Sequence, residues 1–281
     1  MIPTLDQQRT AAYLRRLGVP RERVTTDLSG LTLLHERHLR TFPFENLDIA
    51  LRSTPNGPGT HSMSDQPIVL DVDTLVDKLT VRGRGGFCYE LNGAFASLLT
   101  TLGFAVTLCE ARVGPDGGGM PFDHLCLRVR LPTGHRLADV GFGASFLHPL
   151  DLEATGPQAD PAGTYQIVAV GDDAWDMVEN GEVQYRFFPR PRELADFAAA
   201  CRFHQTSPES HFTQGTVCSL ATADGRVTIS GRTLITTVDG RRTEQVIASD
   251  DELLDRYRRH FGVVLDRVPL PPSDVDGRTM G

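Results

Sequence analysis

Residues 84–92 read Arg84-Gly85-Gly86-Phe87-Cys88-Tyr89-Glu90-Leu91-Asn92. The paired glycines favour a tight turn, and Cys88 follows this turn almost directly. Apolar residues then recur with helical spacing at Leu91 and at positions 94, 95, 98, 99 and 102, which predicts a helix that ends near Gly103. Cys88 is therefore expected at or beside a helix N-terminus, where the helix dipole lowers the pKa of a thiol and favours a nucleophile.

The composition excludes several classes of function. The chain has 281 residues, of which 40% are apolar, so it can bury a core. Its 28 basic and 36 acidic residues give a net charge of −8, which disfavours nucleic-acid binding. No apolar run is long enough to span a membrane, and the first residues lack the pattern of a signal peptide. A cytoplasmic protein without a membrane partner is expected.

The single lysine and the five cysteines narrow the chemistry further. Lys78, which is expected in the middle of a helix, is the only lysine, so Schiff-base catalysis is disfavoured. The cysteines form no Cys-x-x-Cys pair, which argues for a reducing compartment and against a structural zinc site. All cysteines except Cys88 lie in apolar stretches and are expected to be core thiols: Cys109, Cys126, Cys201 and Cys218.

The periodicity of the apolar residues changes along the chain. Up to about residue 100 it is mainly helical, with helices predicted near 11–17, 31–39 and 75–79 and after Cys88. Residues 52–66 are rich in Pro, Gly, Ser and Asn and predict a flexible loop. From Phe104 the period becomes two, and a last helix is predicted at Asp250–Phe261. The predicted strands lie at 104–108, 125–131, 137–140, 165–170, 184–188, 216–221, 226–230 and 234–238.

A cysteine nucleophile needs a base and a group that orients the base. His124 is the best placed of nine histidines because it starts a predicted strand after the glycine-rich loop 114–119; the alternative is a half-buried strand histidine bonded to a carbonyl. Asp139 lies in an otherwise apolar strand, where a carboxylate needs a partner. A two-residue turn at Thr133-Gly134 would place Asp139 opposite Arg128, so an ion pair there is the competing interpretation. That register leaves Asp139 about 13 Å from His124 along the strands, unless a bulge, a bend or a different loop brings them together.

Five blocks, taken in order, resemble those of the arylamine N-acetyltransferases. Each block is weak alone, but their order is highly specific, and the resemblance covers nearly the whole chain. The blocks are Phe42-Pro43-Phe44-Glu45-Asn46-Leu47-Asp48, Arg84–Asn92, Asp123-His124-Leu125, Asp139-Val140-Gly141-Phe142-Gly143 and Gln205-Thr206-Ser207-Pro208-Glu209-Ser210.

The resemblance implies a role for individual residues. In the family, the cysteine of the second block accepts the acetyl group, which corresponds to Cys88. The histidine and the aspartate of the later blocks complete a cysteine-protease-like triad, which corresponds to His124 and Asp139. The resemblance further implies that Glu45 pairs with Arg84 and supports the turn before the nucleophile.

Substrate contacts are implied in the same way. Phe44 and Phe142 would contact the substrate, with Phe44 in the acceptor pocket. Gly141, Gly143 and Phe203 would lie along the cleft for coenzyme A. The alternative for each of these residues is ordinary packing in the core or in a turn.

The family fold is an α+β arrangement of an N-terminal helical bundle, a central β-barrel and a C-terminal α/β lid, in agreement with the changes of period. On this chain the bundle would span residues 1–103 with a flexible insertion at 52–66. The barrel would span residues 104–195 and carry the base and the orienting acid. The lid would span residues 196–281 and end in a frayed tail from Pro269.

The resemblance implies an acetyl-CoA-dependent N-acetyltransferase that acts on arylamines, arylhydrazines or similar small amines by a ping-pong mechanism. Acetyl-CoA would be the acyl-donor substrate, with no tightly bound cofactor and no metal. A related alternative is a macrolactam-forming amide synthase that acts on a polyketide acyl chain, for which segment 52–66 could shape a wider entrance. A cysteine hydrolase and a non-enzymatic binding module are the remaining alternatives.

Overall fold

The computed structural model describes residues 1–53 and 67–269. It is an α+β protein with a helical bundle, an eight-stranded sheet that curves into a nearly closed barrel, and a five-stranded sheet in the lid. Within the described residues, no helix is both long and apolar enough to cross a membrane. The α-helices are α1 (Gln7–Leu17), α2 (Leu28–Leu39), α3 (Leu47–Ser53), α4 (Val72–Thr80), α5 (Cys88–Thr101), α6 (Ala198–Thr206), α7 (His211–Gln214) and α8 (Asp250–Phe261).

The ends of the helices follow from local side chains. The carboxylate of Asp6 accepts a hydrogen bond from a backbone N–H in the first turn of α1, and Gly18 ends that helix with a φ of 65°. At α8, the side chain of Ser249 accepts a backbone N–H in the first turn, and Gly262 ends the helix with a φ of 68°. Helix α5 differs from the others because its first twelve residues, Cys88 to Leu99, are all buried. It is therefore the central helix of the bundle, and Cys88 lies inside the protein.

The larger sheet is antiparallel throughout and has the strand order β5-β4-β3-β2-β9-β8-β7-β6. Its central strands β2 and β3 pack against α5. The buried side chains that fill the barrel form their own apolar cluster, which includes Phe146, Met177 and Phe187. The strands are β2 (Ala105–Val113), β3 (His124–Leu131), β4 (Gly134–Ala138), β5 (Leu150–Asp151), β6 (Gln158–Asp160), β7 (Gly163–Val170), β8 (Ala174–Glu179) and β9 (Glu182–Arg192).

The smaller sheet has the order β1-β10-β11-β12-β13 and is packed against α8 around Tyr257. Its first strand comes from the N-terminal part of the chain, since Phe44 pairs with Ser219 and Glu45 pairs with Cys218. This pairing joins the bundle to the lid. The strands are β1 (Phe44–Glu45), β10 (Val217–Ala221), β11 (Gly225–Ser230), β12 (Thr233–Val238) and β13 (Arg241–Val246).

Most elements predicted from periodicity are present. The four predicted N-terminal helices and the last helix correspond to α1, α2, α4, α5 and α8. The sequence did not predict β1, β5 and β6, because two or three residues carry too little periodicity. It also did not predict α3, α6, α7, β8 and β13. The predicted loop 52–66 was placed too early by two residues, since Arg52 and Ser53 end α3. Its remaining residues, and the predicted tail after Pro269, lie outside the described residues.

The predicted hairpin between β3 and β4 is wrong in its register. Leu131 pairs with Gly134, so the two-residue turn is Pro132-Thr133 rather than Thr133-Gly134. Arg128 consequently faces Leu137, and Leu127 faces Ala138. This shift of two residues moves Asp139 along the sheet towards the start of β3, where His124 lies.

Candidate active site

The turn before α5 is held by a buried ion pair between β1 and the glycine segment. Arg84 donates two hydrogen bonds to the carboxylate of Glu45, from Nε over 2.8 Å and from Nη2 over 2.9 Å. The same carboxylate accepts the backbone N–H of Gly85. A Cβ atom at Gly85 would lie 1.8 Å from the carbonyl oxygen of Pro43, so only glycine fits there. The predicted Glu45–Arg84 pair is therefore present in the structure.

A second buried charge contact lies beside the first. The ammonium group of Lys78 lies 2.7 Å from carboxylate oxygens of both Asp48 and Glu90. Glu90 also accepts the backbone N–H of Phe87, the residue that precedes α5. Burial alone would lower the pKa of Lys78, but the two carboxylates outweigh it and raise this pKa. The only lysine of the chain thus holds the start of α5 and is not free to act as a nucleophile.

Cys88 is the first residue of α5, as predicted, and only 4% of it is exposed. Burial raises the pKa of its thiol, although a hydrogen bond from the backbone of Leu125 acts in the opposite direction. The sequence-based expectation of a lowered pKa is therefore wrong for the thiol in this environment. A Cys88 thiolate needs a positively charged neighbour, and β3 supplies the candidate histidine.

His124 and Asp139 form a buried pair next to this helix start. Nε2 of His124 lies 2.6 Å from Oδ2 of Asp139, and 2% and 0% of these residues are exposed. Burial would raise the pKa of Asp139, but the charge of His124 and its hydrogen bond outweigh burial, so this pKa is lowered. The ring of Tyr185 packs at 5.1 Å from the ring of His124. Among the described ion pairs, the partner of Asp139 is thus His124 and not Arg128.

Asn92 connects the segments that carry the three predicted catalytic residues. It lies one helical turn after Cys88, and its Nδ2 donates to the carbonyl of Leu125 over 2.7 Å and to Oδ1 of Asp139 over 2.8 Å. Its Oδ1 accepts the backbone N–H of Val140. One side chain on α5 therefore binds both the start of β3 and the segment after β4.

A second restraint on Asp139 comes from α2. The backbone N–H of Asp139 donates to Nε2 of His35 over 3.0 Å, and Nδ1 of His35 lies 2.8 Å from the carbonyl oxygen of Leu147. Because Nε2 accepts, the proton of the neutral ring is on Nδ1. Burial lowers the pKa of His35 to about 4, so the ring stays neutral at pH 7.

The segment after Asp139 runs directly past the nucleophile. A Cβ atom at Gly141 would lie 2.7 Å from Cα of Cys88, so the backbone can approach α5 only without a side chain there. Phe142 packs edge-to-face on His124, with 5.2 Å between the ring centres. Gly143 has a φ of 91° and borders the ring of Phe44. Four of the predicted substrate-contact and coenzyme A-cleft residues therefore lie around the Cys88–His124 region.

The lid brings Phe212, rather than the predicted Phe203, into this region. The Phe212 ring lies 6.1 Å from that of Phe44 and 5.6 Å from that of Phe87, measured between ring centres. Phe203 packs on its neighbour His204 instead. A cofactor role of Phe203 stays a prediction. Phe212 and Asn92 are the residues that sequence reasoning missed, although both lie within or close to quoted blocks.

The described residues contain no group of three or more His, Cys, Asp or Glu side chains that could hold a metal ion. The five cysteines are all buried and unpaired by disulfides, and Cys109, Cys126, Cys201 and Cys218 lie in the core as predicted. The predicted site holds a buried thiol at the start of α5 and a carboxylate-bound imidazole at the start of β3.

Comparisons with known proteins find relatives that match nearly the whole chain. A family model described as N-acetyltransferase matches residues 27–269. The arylamine N-acetyltransferase of Mycolicibacterium smegmatis is 34% identical over 276 residues, which cover 95% of this chain and 95% of that protein. A solved structure of an M. smegmatis arylamine N-acetyl transferase matches with a TM-score of 0.81 and 31% identity, and the match covers 98% of this chain and 96% of that one.

The Mycobacterium marinum arylamine N-acetyltransferase, solved in complex with CoA, matches with a TM-score of 0.77 and 29% identity; 90% of this chain and 92% of that one are covered. These matches include the bundle, the barrel and the lid, and they confirm the family predicted from the five sequence blocks. The chain belongs to the arylamine N-acetyltransferases.

Proposed function

We propose that the protein transfers an acetyl group from acetyl-CoA to an arylamine, arylhydrazine or similar small amine through an acetyl-Cys88 intermediate. The observation that carries this proposal is the buried His124–Asp139 pair, at 2.6 Å, which Asn92 connects to the helix that begins at Cys88. A thiol, an imidazole and a carboxylate in this order are the components of a triad that activates a nucleophile.

The first half-reaction acylates the enzyme. Nε2 of His124 is occupied by Asp139, so Nδ1 is the ring atom that can take the proton from Cys88. The Cys88 sulfur then attacks the carbonyl carbon of the acetyl thioester, and backbone N–H groups in the first turn of α5 stabilise the oxyanion. The bond from the acetyl carbon to the coenzyme A sulfur breaks, and this sulfur takes the proton from His124.

The second half-reaction regenerates the thiol. The nitrogen of the acceptor amine attacks the carbonyl carbon of acetyl-Cys88 and gives its proton to His124. The carbon–sulfur bond then breaks, the amide leaves, and His124 returns the proton to Cys88. An arylamine is neutral at pH 7, so it can attack without losing a proton first.

The surroundings of Cys88 support an aromatic acceptor. Phe212 packs on both Phe44 and Phe87, the residue before Cys88, and Phe142 packs on His124. Rings of this kind favour a planar aromatic amine through apolar and edge-to-face contacts. We assign Gly141 and Gly143 to the coenzyme A cleft because a Cβ atom would lie 2.7 Å from Cα of Cys88 at Gly141 and 3.3 Å from the ring of Phe44 at Gly143. The coenzyme A complex of the M. marinum relative supports the same donor here.

Intact-mass measurement tests the proposal. After incubation with acetyl-CoA and no amine, the mass should rise by one acetyl group that maps to Cys88, and double-reciprocal plots with an arylamine should be parallel. Cys88→Ala should abolish the added mass, whereas Cys218→Ala, which changes an equally buried cysteine in the lid, should retain it. Intersecting plots without a trapped acetyl-enzyme would contradict the two-step mechanism.

The alternative function, a macrolactam-forming amide synthase, would give a different result in the same experiment. Such an enzyme would leave Cys88 unmodified by acetyl-CoA and would be acylated by a long-chain acyl thioester that carries its own arylamine. Comparing the two thioesters under identical conditions therefore separates the proposals.

A further inference from the structure

A second hydrogen-bonded chain of titratable side chains lies next to the catalytic pair. Nε2 of His204 on α6 lies 3.0 Å from Oδ1 of Asp123, and its Nδ1 lies 3.0 Å from Oγ of Ser210. Only 3% of His204 and 2% of Ser210 are exposed. These three side chains connect the lid to the residue that immediately precedes His124.

The direction of these hydrogen bonds follows from the atoms involved. The ionised carboxylate of Asp123 can only accept, so Nε2 of His204 donates to it. The Oγ atom of Ser210 accepts the backbone N–H of Phe212, which leaves its own proton available to Nδ1 of a neutral His204. Each ring nitrogen thus makes a bond that a carbon atom at the same place could not make.

The Asp123 end of the chain restrains the backbone before His124. The hydroxyl of Tyr89, the residue after Cys88, donates to the carbonyl oxygens of Phe122 and Asp123 over 2.8 Å and 3.0 Å. Phe122 has a φ of 62°, a left-handed conformation that persists only where the surroundings hold it. The other carboxylate oxygen of Asp123 accepts the backbone N–H of Val113. His204 completes this set from the lid.

The Ser210 end of the chain restrains an aromatic residue of the site. Ser210 caps α7, and the second residue of α7 is Phe212, which packs on Phe44 and Phe87. The ring of His204 itself lies 5.2 Å from that of Phe212. One imidazole therefore contacts both Asp123, the residue before His124, and the short helix that carries Phe212.

We propose that His204 is a positioning residue that couples the lid to the catalytic base: its Nε2 fixes Asp123 and thereby the orientation of His124, and its Nδ1 fixes Ser210 and thereby Phe212. The proposal rests on the proposed function for the roles of His124 and Phe212. It predicts that the two nitrogens act on different steps, the first on activation of Cys88 and the second on binding of the acceptor amine.

Three substitutions of His204 distinguish the role of Nε2 from that of Nδ1. His204→Phe keeps an aromatic ring and removes both hydrogen bonds. His204→Gln places an amide where Nε2 was and can keep the bond to Asp123, whereas His204→Asn places an amide near the position of Nδ1 and can keep the bond to Ser210. His38→Phe is the matched control, because His38 is equally buried and loses one hydrogen bond, to Tyr13, away from the site.

Two readouts are measured for each variant. The first is the rate of Cys88 alkylation by iodoacetamide between pH 5 and pH 9, which needs neither acetyl-CoA nor the acceptor. The second is the KM for an arylamine. We expect His204→Phe to slow alkylation at pH 7 by about 10-fold and to move the midpoint of its pH profile upward, because misplaced His124 stabilises the thiolate less well. The same variant should raise the KM.

His204→Gln and His204→Asn, which each keep one hydrogen bond, should each restore one of the two readouts. His204→Gln should restore the alkylation profile but not the KM, and His204→Asn should restore the KM but not the profile. The proposal is overturned if His204→Phe keeps both wild-type readouts, or if all three variants change them only as much as His38→Phe does at equal loss of thermal stability. Failure of the wild-type enzyme to become acetylated would instead refute the proposed function, since the alkylation readout is independent of acetyl transfer.

Discussion

Asn92 donates one hydrogen bond to Asp139 over 2.8 Å and a second to the carbonyl oxygen of Leu125, the residue after His124. Because Asn92 lies on the same helix as Cys88 and one turn further on, it connects Cys88 to the segments that carry His124 and Asp139. The three proposed catalytic residues come from separate parts of the chain, and the Asn92 amide binds the two parts that lie outside α5.

Replacing Asn92 by alanine should therefore impair the site more than the fold. We expect acetylation of Cys88 by acetyl-CoA to slow by about 10- to 100-fold, since small displacements of positioned groups cost this much. Unfolding should become easier by about 1–3 kcal/mol, because two carbonyl or carboxylate oxygens lose a buried donor. Stopped acetylation reactions analysed by intact mass, together with urea unfolding, measure both effects.

Ser97→Ala is the matched control for Asn92, because Ser97 lies on the same buried helix and its Oγ has no hydrogen-bond partner among the described residues. It should leave the acetylation rate unchanged. Equal loss of rate in the two variants would show that α5 tolerates no change and that Asn92 has no special role.

Asp139→Asn tests the role of the carboxylate. The amide keeps the size of the side chain but cannot stabilise the positive charge on His124, so turnover should fall by roughly 10⁴-fold, as in other triads. Arg128→Gln should leave turnover nearly intact, because Arg128 faces Leu137 in the observed register. A larger loss of turnover in Arg128→Gln than in Asp139→Asn would instead support the competing interpretation, an ion pair between Asp139 and Arg128.

His35 should make stability depend on pH. Burial lowers its pKa to about 4 from 6.5, so the unfolded chain binds this proton between these values and the native protein does not. The contribution of neutral His35 to the free energy of unfolding is fully present above pH 6.5. It falls as the pH decreases towards 4, by up to about 3 kcal/mol. Urea unfolding of wild type and His35→Gln at pH 7 and pH 5 measures it.

The difference in unfolding free energy between pH 7 and pH 5 should be smaller in His35→Gln than in wild type. Burial also lowers the pKa of His38, so part of the pH dependence should persist in this variant. An identical dependence in the two proteins would show that His35 contributes nothing to it.

Lys78 should resist amine-reactive reagents in the folded protein. It is 3% exposed and lies between two carboxylates, so an N-hydroxysuccinimide ester should label it only after unfolding in denaturant. Lys78→Met should destabilise the fold by about 3–5 kcal/mol, because Glu90 is left buried without its cation and Asp48 keeps only its contact with Arg84. Peptide mapping and urea unfolding report the two results, and rapid labelling of Lys78 in native protein would contradict this account.

Cys88 should be the first cysteine to react with iodoacetamide at pH 7. Burial raises the pKa of Cys126, Cys201 and Cys218 as well, and none of these three residues begins a helix, as Cys88 does. Mass mapping after partial alkylation measures the order. Equal modification of all five cysteines in folded protein would mean that His124 does not activate Cys88.

The sequence by itself determined the elements whose signals are local. The glycine turn and the apolar spacing placed a helix at Cys88, and the alternation after Phe104 predicted five of the eight strands of the barrel. The blocks around Cys88, His124 and Asp139 predicted the family, which the comparisons confirmed. These features are readable because turn geometry and periodicity depend on neighbouring residues only.

Only the tertiary structure decided the contacts between distant segments. Whether Asp139 meets His124 or Arg128 depended on a shift of two residues in one hairpin, and either register keeps the same side chains on each face. The roles of Asn92 and His204 required the packing of α5 and the lid against the barrel, since neither residue differs locally from a helical surface or core residue. The pKa of Cys88 also followed from burial, which opposes the helix-terminus effect and which no local pattern measures.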